Sequence, residues 1–148
     1  MDGGLINNFP VDHAKKDFPS NRIIGVFLNK FIENQKIKLN ARLQAFYKGF
    51  QQLKTEGFKV EAVSPQAAIY LTVQFDLKGF KKENGESLET TKDITRFLLD
   101  EAKLAIVPFY AFGASDSSTW YRLSVGTCKL SDVEGIIGNL RTALKTLK

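Results

Sequence analysis

A long run of helical periodicity is the feature of this 148-residue chain that most restricts its fold. Over residues 21–56, apolar side chains recur at spacings of three and four, which predicts one amphipathic α-helix. Ser20 or Asn21 is the candidate N-cap, and Gly57 is a natural C′ residue. A helix of roughly 35 residues spans about 50 Å, more than a small domain needs, and such helices often connect two domains. The alternative is two helices broken near Gln35, which interrupts the apolar stripe.

The rest of the chain alternates pairs of strands with helices. Residues 67–76 alternate apolar and polar side chains, which predicts a strand whose buried face holds Ala67, Ile69, Leu71, Val73 and Phe75. Further strand patterns cover residues 58–63, 104–107 and 120–125. Two shorter helices are predicted to begin at the capping-box patterns of residues 90–93 and 131–134.

This order predicts an α+β fold. We expect a two-layer domain in which helices pack on a small, mostly antiparallel sheet, preceded by the long connecting helix 21–56. Residues 1–20 contain Gly-Gly, Asn-Asn and two prolines without sustained periodicity, so we expect an irregular N-terminal arm there. The folded domain is expected over residues 21–148.

Composition excludes several classes of protein. Hydrophobic residues make up 43% and charged residues 25% of the chain, as in soluble globular proteins. The apolar runs are too short to span a membrane, and no secretion signal is recognisable. The single cysteine, Cys128, excludes an internal disulfide and suits a reducing cytoplasm. With His13 as the only histidine, no metal site is expected.

The stretch from residue 106 to residue 127 carries the candidate ligand-binding residue. An apolar strand breaks at Pro108, passes through a small-residue loop and resumes as WYRLSV, with Arg122 at its centre. A guanidinium within an aromatic and aliphatic strand is costly unless an anion or a set of acceptors meets it. The pattern alone leaves two interpretations open: an anionic ligand, or an arginine that faces solvent or pairs with a carboxylate such as Asp116. No Ser/His/Asp set, Cys/His pair or phosphate-binding glycine motif accompanies it.

Four segments in order resemble a known family. AIYLTVQFD, TRFLLDEAKLAIVPFYAFG, WYRLSVGTC and SDVEGIIGNLRTALKTL resemble the C-terminal small domain of fold-type I pyridoxal-phosphate aminotransferases of the aspartate and aromatic type. The resemblance covers residues 22–148, and it rests on the order and spacing of the segments, because no short piece is specific alone. It implies amino group transfer between an amino acid and a 2-oxo acid, in a cytoplasmic homodimer.

The same resemblance implies roles for individual residues. Arg122 matches the strand arginine that clamps the substrate α-carboxylate through two parallel hydrogen bonds, and Phe112 matches the family's aromatic position in the same pocket. Residues 109–118 would line that pocket. Two positions depart from the family pattern: Phe109 replaces a usual glycine, and Val125 replaces a common aromatic residue. The preference for a substrate side chain is therefore left open.

The resemblance also implies what this chain lacks. The family's cofactor lysine, the aspartate that pairs with the pyridine nitrogen, and the phosphate cup belong to a large N-terminal domain that no segment here matches. We therefore expect pyridoxal phosphate to be held mainly by that missing large domain, with no catalytic and no cofactor-binding residue in this chain. The chain is expected to be a fragment that is inactive alone.

Two other functions remain as hypotheses. The formal charge of +5 allows a free-standing basic α+β module that binds nucleic acid or an acidic partner through Lys78, Lys81, Lys82 and the C-terminal lysines. Nucleic acid is disfavoured because Phe80 is the only aromatic residue interleaved with these lysines. A regulatory domain that binds amino acids through Arg122 without a cofactor is the third hypothesis.

Overall fold

A computed structural model describes residues 22–66 and 69–148 of the chain; for residues 22–31 it describes the backbone of a helix and not the side chains. The predicted arm of residues 1–20, His13 and the two candidate N-cap residues lie outside the described residues. The predicted domain boundary at residue 21 therefore stays a prediction. The described residues divide into two units, one that ends at residue 38 and one that begins at residue 39.

The long helix α1 is continuous from Arg22 to Thr55, so the alternative of a break near Gln35 is wrong. In the first unit it is described over residues 22–38, where the side chains of Ile32 and Ile37 are exposed. At its C-terminus Gly57 adopts a φ of 94°, as expected of a C′ residue. The Gly57 amide donates to Lys54 O at 3.0 Å and the next amide donates to Leu53 O at 3.2 Å, which completes a Schellman motif.

The second unit confirms the predicted α+β fold. Four strands form one sheet in the order β1-β2-β4-β3, and every neighbouring pair is antiparallel. The strands are β1 (Val60–Ala62), β2 (Tyr70–Phe75), β3 (Val107–Pro108) and β4 (Trp120–Ser124). The same unit contains two further α-helices, α2 (Thr91–Asp100) and α3 (Val133–Lys145).

Strand β3 is shorter than the four residues predicted from 104 to 107. The amide of Leu104 donates to Leu98 O at 2.9 Å, so this residue still closes the end of α2. Lys103 just before it has a φ of 55°, which turns the chain out of the helix. The strand therefore begins only at Val107 and ends at Pro108, which has no amide proton to donate.

The sheet has one buried face and one outer face, as the alternation of β2 predicted. Leu71, Val73 and Phe75 are buried in β2, and Tyr121 and Leu123 are buried in β4. They form one core with side chains of all three helices, among them Phe46, Phe50, Phe97 and Leu140. Ile69, predicted on the buried face, is exposed because β2 begins one residue after it; Ala67 lies outside the described residues.

The helix starts show one confirmed and one wrong capping prediction. At α2 the Asp93 amide donates to Thr90 Oγ1 at 3.2 Å, and the Thr90 amide donates to Asp93 Oδ2 at 2.8 Å, which is the predicted capping box. At α3 the predicted box from Ser131 is absent, because a 3₁₀ turn, Leu130–Asp132, precedes the helix. In this turn the Asp132 carboxylate accepts from the Lys129 amide at 3.0 Å, and Ser131 Oγ donates to that carboxylate at 3.1 Å.

Gly49 allows α1 and α3 to approach closely. A Cβ atom at this position would lie 2.6 Å from Cγ1 of the buried Ile137. We expect Gly49→Ala to lower the free energy of unfolding by about 1–3 kcal/mol through overpacking, less the gain in helix propensity. Gly135→Ala in α3, where nothing lies within 4 Å of an added Cβ, is the matched control and should be neutral or stabilising. Urea unfolding of both variants measures the difference, and equal stability of the two would contradict the close approach.

Tyr121 carries a buried hydroxyl group that makes no hydrogen bond within the described residues. Burial raises the pKa of Tyr121 from 10.0 to about 12, although the nearby Thr95 hydroxyl opposes this increase. Thr95 donates its own hydrogen bond to Thr91 O at 2.7 Å. The phenol is therefore kept neutral in the folded state at a pH where the unfolded chain has begun to ionise.

This difference predicts a dependence of stability on alkaline pH. The unfolded state releases the Tyr121 proton first, so this residue's contribution to stability is complete below pH 10 and is lost as the pH rises toward 12. We expect Tyr121→Phe to lose less stability than the parent between pH 9 and about 11.5, in urea unfolding at fixed ionic strength. Parallel losses for the two proteins would contradict a buried, neutral phenol.

Candidate functional site

Arg122 lies at the centre of the outer face of the sheet. It is paired with Thr72 on β2 and with Val107 on β3, so the strand that carries it is flanked on both sides. Its neighbours Tyr121 and Leu123 point into the core, and Arg122 is exposed on the opposite face. The apolar residues on either side of Arg122 are therefore explained by their burial in the core. The exposed guanidinium of Arg122 is solvated and needs no anion for the strand to be stable.

Three aromatic rings surround the guanidinium of Arg122. Its Cζ atom lies 4.1 Å from the centroid of the Phe112 ring, 5.6 Å from that of Tyr70 and 5.9 Å from that of Phe109. The shortest distance is that of a stacked cation–π contact, and the other two are near its outer limit. The rings restrict the side chain on the sheet surface. Phe112, which is 53% exposed, therefore lies directly against Arg122, the candidate ligand-binding residue.

A short 3₁₀ helix, Phe109–Phe112, presents two of these rings. It begins directly after Pro108 and is followed by its C-cap residue Gly113, whose φ of 89° is readily adopted by glycine. The amide of Gly113 donates to Tyr110 O at 3.1 Å and that of Ala114 donates to Phe109 O at 3.2 Å. The backbone therefore holds Phe112 over the sheet face.

Arg122 has no carboxylate partner among residues 22–66 and 69–148: its guanidinium forms no ion pair and no hydrogen bond there. The pairing with Asp116 that the sequence left open is therefore not observed. The alternative of a side chain that faces solvent is observed. The guanidinium is positioned by ring faces, and its N–H donors remain available to a ligand.

Two residues that sequence reasoning missed hold the backbone on both sides of Arg122. The buried hydroxyl of Thr91 donates to Asp116 O at 2.8 Å and also lies 3.2 Å from Ser118 O, which fixes the loop before β4 to the first turn of α2. Arg42 of α1 donates from Nη1 to Cys128 O at 2.7 Å and to Gly126 O at 3.2 Å, just after β4. All four hydrogen bonds join residues far apart in sequence, so no local pattern indicates them.

Two clefts in the described structure have linings that do not include Arg122. One, of about 280 Å³, is lined by residues such as Phe58, Phe80 and Leu147; the other, of about 380 Å³, lies at the start of α2 and includes Lys78 and Asp116. Phe80 packs partly buried against the core, and Lys82 pairs with Glu86 at 3.0 Å. Neither feature favours stacking on nucleic-acid bases by the segment between β2 and α2, which carries Phe80 and Lys82.

Residues 22–66 and 69–148 contain no group of three or more His, Cys, Asp or Glu side chains arranged to hold a metal ion. Within those residues no helix combines the length and the apolar character required to cross a bilayer.

The fold of this chain is similar to one part of two longer proteins of known structure. The chain resembles the aspartate aminotransferase from Rhizobium meliloti with a TM-score of 0.66 and 21% identity, over 80% of this chain and 28% of that one. The aromatic aminotransferase from Pyrococcus horikoshii gives a TM-score of 0.59 at 22% identity, over 78% of this chain and 27% of that one. At such identities the likeness establishes a shared fold.

Sequence comparison identifies the family. The profile of aminotransferase class I and II matches residues 23–140. This chain therefore belongs to the class I and II aminotransferases, as the four segments of the sequence indicated.

The curated relatives are much longer than the chain. The probable aspartate/prephenate aminotransferase of Rickettsia felis is 37% identical over 68 residues, which are 45% of this chain and 16% of that protein. The bifunctional aspartate aminotransferase and glutamate/aspartate-prephenate aminotransferase of Petunia hybrida is 31% identical over 94 residues, 63% of this chain and 18% of that protein. The chain thus matches less than a fifth of the length of either relative.

The contact of Thr91 with the loop before β4 can be tested by removing its hydroxyl. We expect Thr91→Val to reduce the free energy of unfolding by about 1 kcal/mol and to accelerate amide hydrogen exchange in residues 115–119, because two carbonyl groups lose their donor. Thr142→Val, which removes a hydroxyl bonded only to Gly138 O within α3, is the control. Unchanged exchange of the loop in Thr91→Val would show that the loop is held by other contacts.

Proposed function

We propose that this chain is the C-terminal, substrate-carboxylate-binding domain of a pyridoxal-phosphate-dependent aminotransferase. Arg122 receives the α-carboxylate of an amino acid or 2-oxo acid, and Phe112 orients the guanidinium. The observation that carries the proposal is the outward-facing Arg122, flanked by two strands, stacked on Phe112 and without a carboxylate partner in the described part of the chain. A planar guanidinium donates two parallel hydrogen bonds to a carboxylate, which the single ammonium group of lysine does not reproduce.

Membership of the aminotransferase class I and II family supports amino group transfer as the reaction of the full protein. The Phe112 ring, which is stacked on the guanidinium, shields one of its faces from water and leaves its N–H edge accessible to an anion. Closure of the small domain would bring this edge toward the substrate and shield the reaction from solvent.

Pyridoxal phosphate, when bound, supplies the electron sink on which the amino group is exchanged. The residues that this chain brings together around Arg122 do not fit that cofactor. From residue 104 to residue 128 the sequence contains no lysine, and β2 contains none either, so the segments beside Arg122 supply no amine to hold it; Lys54, which reaches Glu61 on β1, is engaged in an ion pair. The cofactor is proposed to be held by a large domain outside this chain, and this chain is proposed to be inactive alone.

The same proposal covers assembly and location. The full protein is expected to be a cytoplasmic homodimer in which this domain and the large domain enclose the substrate. The single cysteine, which is compatible with a reducing compartment, supports the location.

The proposed role of Arg122 can be tested in the natural full-length protein. We expect Arg122→Lys to lower kcat/KM for α-amino acids by about 10²-fold or more, because the bidentate contact is lost. Arg96→Lys is the matched control, since Arg96 is an exposed arginine on α2 that pairs with Asp100 at 3.5 Å. Steady-state kinetics of amino group transfer measure both variants. A value of kcat/KM unchanged by Arg122→Lys would reject the proposed role.

The proposed absence of a cofactor-holding lysine can be tested in the 148-residue chain by itself. After incubation with pyridoxal phosphate and borohydride reduction, we expect no single lysine to be modified stoichiometrically, because β2, β3, β4 and the loop between residues 108 and 120 contain no lysine. Peptide mass spectrometry measures the labelling at each lysine, and a full-length family member serves as the positive control. One lysine modified to completion would overturn the view that this chain lacks a cofactor-holding residue.

A further inference from the structure

A tight hairpin between β2 and α2 carries the one Asn-Gly pair of the sequence, Asn84 and Gly85. The Lys82 amide donates to Glu86 O at 2.9 Å and the Gly85 amide donates to Lys82 O at 2.9 Å, so three residues form the loop. Gly85 has a φ of 85°, as the last residue of such a loop requires. The hairpin geometry therefore favours a glycine directly after Asn84.

The side chain of Asn84 is held beside the backbone that follows it. Asn84 is exposed, and its Oδ1 atom accepts from the Glu86 amide at 3.0 Å. This hydrogen bond turns the carboxamide back toward the intervening Gly85 nitrogen. Nothing lies within 4 Å of the position that a Cβ atom of Gly85 would occupy, so the space beside this nitrogen is open to ring closure.

An asparagine in this position can lose its amide group without an enzyme. The Gly85 nitrogen gives its proton to hydroxide and forms a bond to Cγ of Asn84, while the Cγ–Nδ2 bond breaks and ammonia leaves with a proton from water. Water then opens the resulting five-membered imide. Cleavage at Cγ gives aspartate, and cleavage at the main-chain carbonyl gives isoaspartate, in which the main chain runs through the side chain. One water is consumed and one ammonia is released, with no oxidation or reduction.

The folded hairpin restrains this reaction. The Gly85 amide must lose its proton before it attacks, and in the structure this proton is donated to Lys82 O. An ion pair between Lys82 Nζ and the Glu86 carboxylate, 3.0 Å apart, also closes the loop. The attack therefore requires a local opening of the hairpin.

The same hairpin holds Lys148, the last residue of this sequence. The Lys81 amide donates to Lys148 O at 2.9 Å, and the Lys148 amide donates to Lys81 O at 3.0 Å. Lys81 is also bridged to Ser87 on the opposite arm of the hairpin. Isoaspartate adds a methylene group to the main chain of the loop and so changes the loop length that sets this register.

We propose that Asn84 is a site of spontaneous deamidation and isoaspartate formation, and that the isoaspartate releases Lys148 from the hairpin. Opening of the hairpin sets the rate of the conversion. Asn84 is thus an age-dependent modification site that loosens the segment after α3. This inference is independent of the proposed carboxylate role of Arg122.

The modification can be measured by incubating the 148-residue chain at mildly alkaline pH, folded in buffer and unfolded in urea. Peptide mass spectrometry should show a gain of about 1 Da at Asn84, where NH is replaced by O, with isoaspartate fragments beside aspartate. The rate should be about tenfold higher in urea, because the Gly85 amide is no longer bonded. Three helical asparagines that precede larger residues are the internal controls and should stay unmodified in buffer: Asn34, Asn40 and Asn139.

The release of Lys148 can be measured on the isoaspartate form after its separation by ion exchange. Amide hydrogen exchange of Lys81 and Lys148 should be about tenfold faster in this form than in the parent. Asn84→Asp, which has the same charge and an ordinary main chain, is the matched control and should exchange like the parent. Asn84→Ser should show no gain in mass at this position.

Each result decides one step of the proposal. No gain in mass at Asn84 in buffer would overturn the site in the folded chain. Equal rates in buffer and in urea would overturn the restraint by the hairpin. Unchanged exchange of Lys81 and Lys148 in the isoaspartate form, or the same acceleration in Asn84→Asp, would overturn the release of Lys148 by the longer main chain.

Discussion

The alternation of side chains along β4 is the constraint on which the site depends. Tyr121 and Leu123 are buried, and this fixes the register of the strand because a shift by one residue would place Arg122 in the core. The cost of burying a guanidinium without a partner makes that shift strongly unfavourable. The packing of Tyr121 against Phe75, with ring centroids 5.7 Å apart, therefore also determines where Arg122 is displayed.

The site depends equally on connections that lie outside the strand. Phe112 reaches Arg122 because a 3₁₀ helix closes between Pro108 and Gly113, and the following loop is tied to α2 by the Thr91 hydroxyl. Arg42 ties the segment after β4 to α1. A helix is thus bonded to the chain on each side of β4. Displacement of either helix would be transmitted to the strand that carries Arg122.

Much of the fold followed from local patterns. The 34-residue helix, the Thr90–Asp93 capping box, the left-handed Gly57 and the buried face of β2 each depend on neighbours within a few residues, which the sequence displays directly. The failures were of two kinds. The start of α3 was misassigned because a 3₁₀ turn of the same residue types competes with a capping box. The prediction of strand β3 from residue 104 is wrong because the Leu104 amide donates to Leu98 O at the end of α2.

The candidate site was predictable only in part. Arg122 stood out because it is a single cation in an apolar strand, and the family resemblance added Phe112. The sequence left open whether Arg122 meets an anionic ligand, faces solvent or pairs with a carboxylate, and the structure shows an exposed side chain that is stacked on rings. Tyr70, Thr91 and Arg42 could not be found, because their roles depend on strand register and on contacts that join distant parts of the chain.

The shortness of the two outermost strands has a consequence for how this unit behaves at high concentration. The outermost strands of a sheet are where other chains can add by backbone hydrogen bonding, and that addition leads to aggregates. Here β1 has three residues, and β3 has two, the second of which is Pro108 with no amide proton. Neither strand offers a ladder long enough to recruit another chain edge to edge. The unit can therefore expose aromatic rings on its open face without also providing a template for fibre growth.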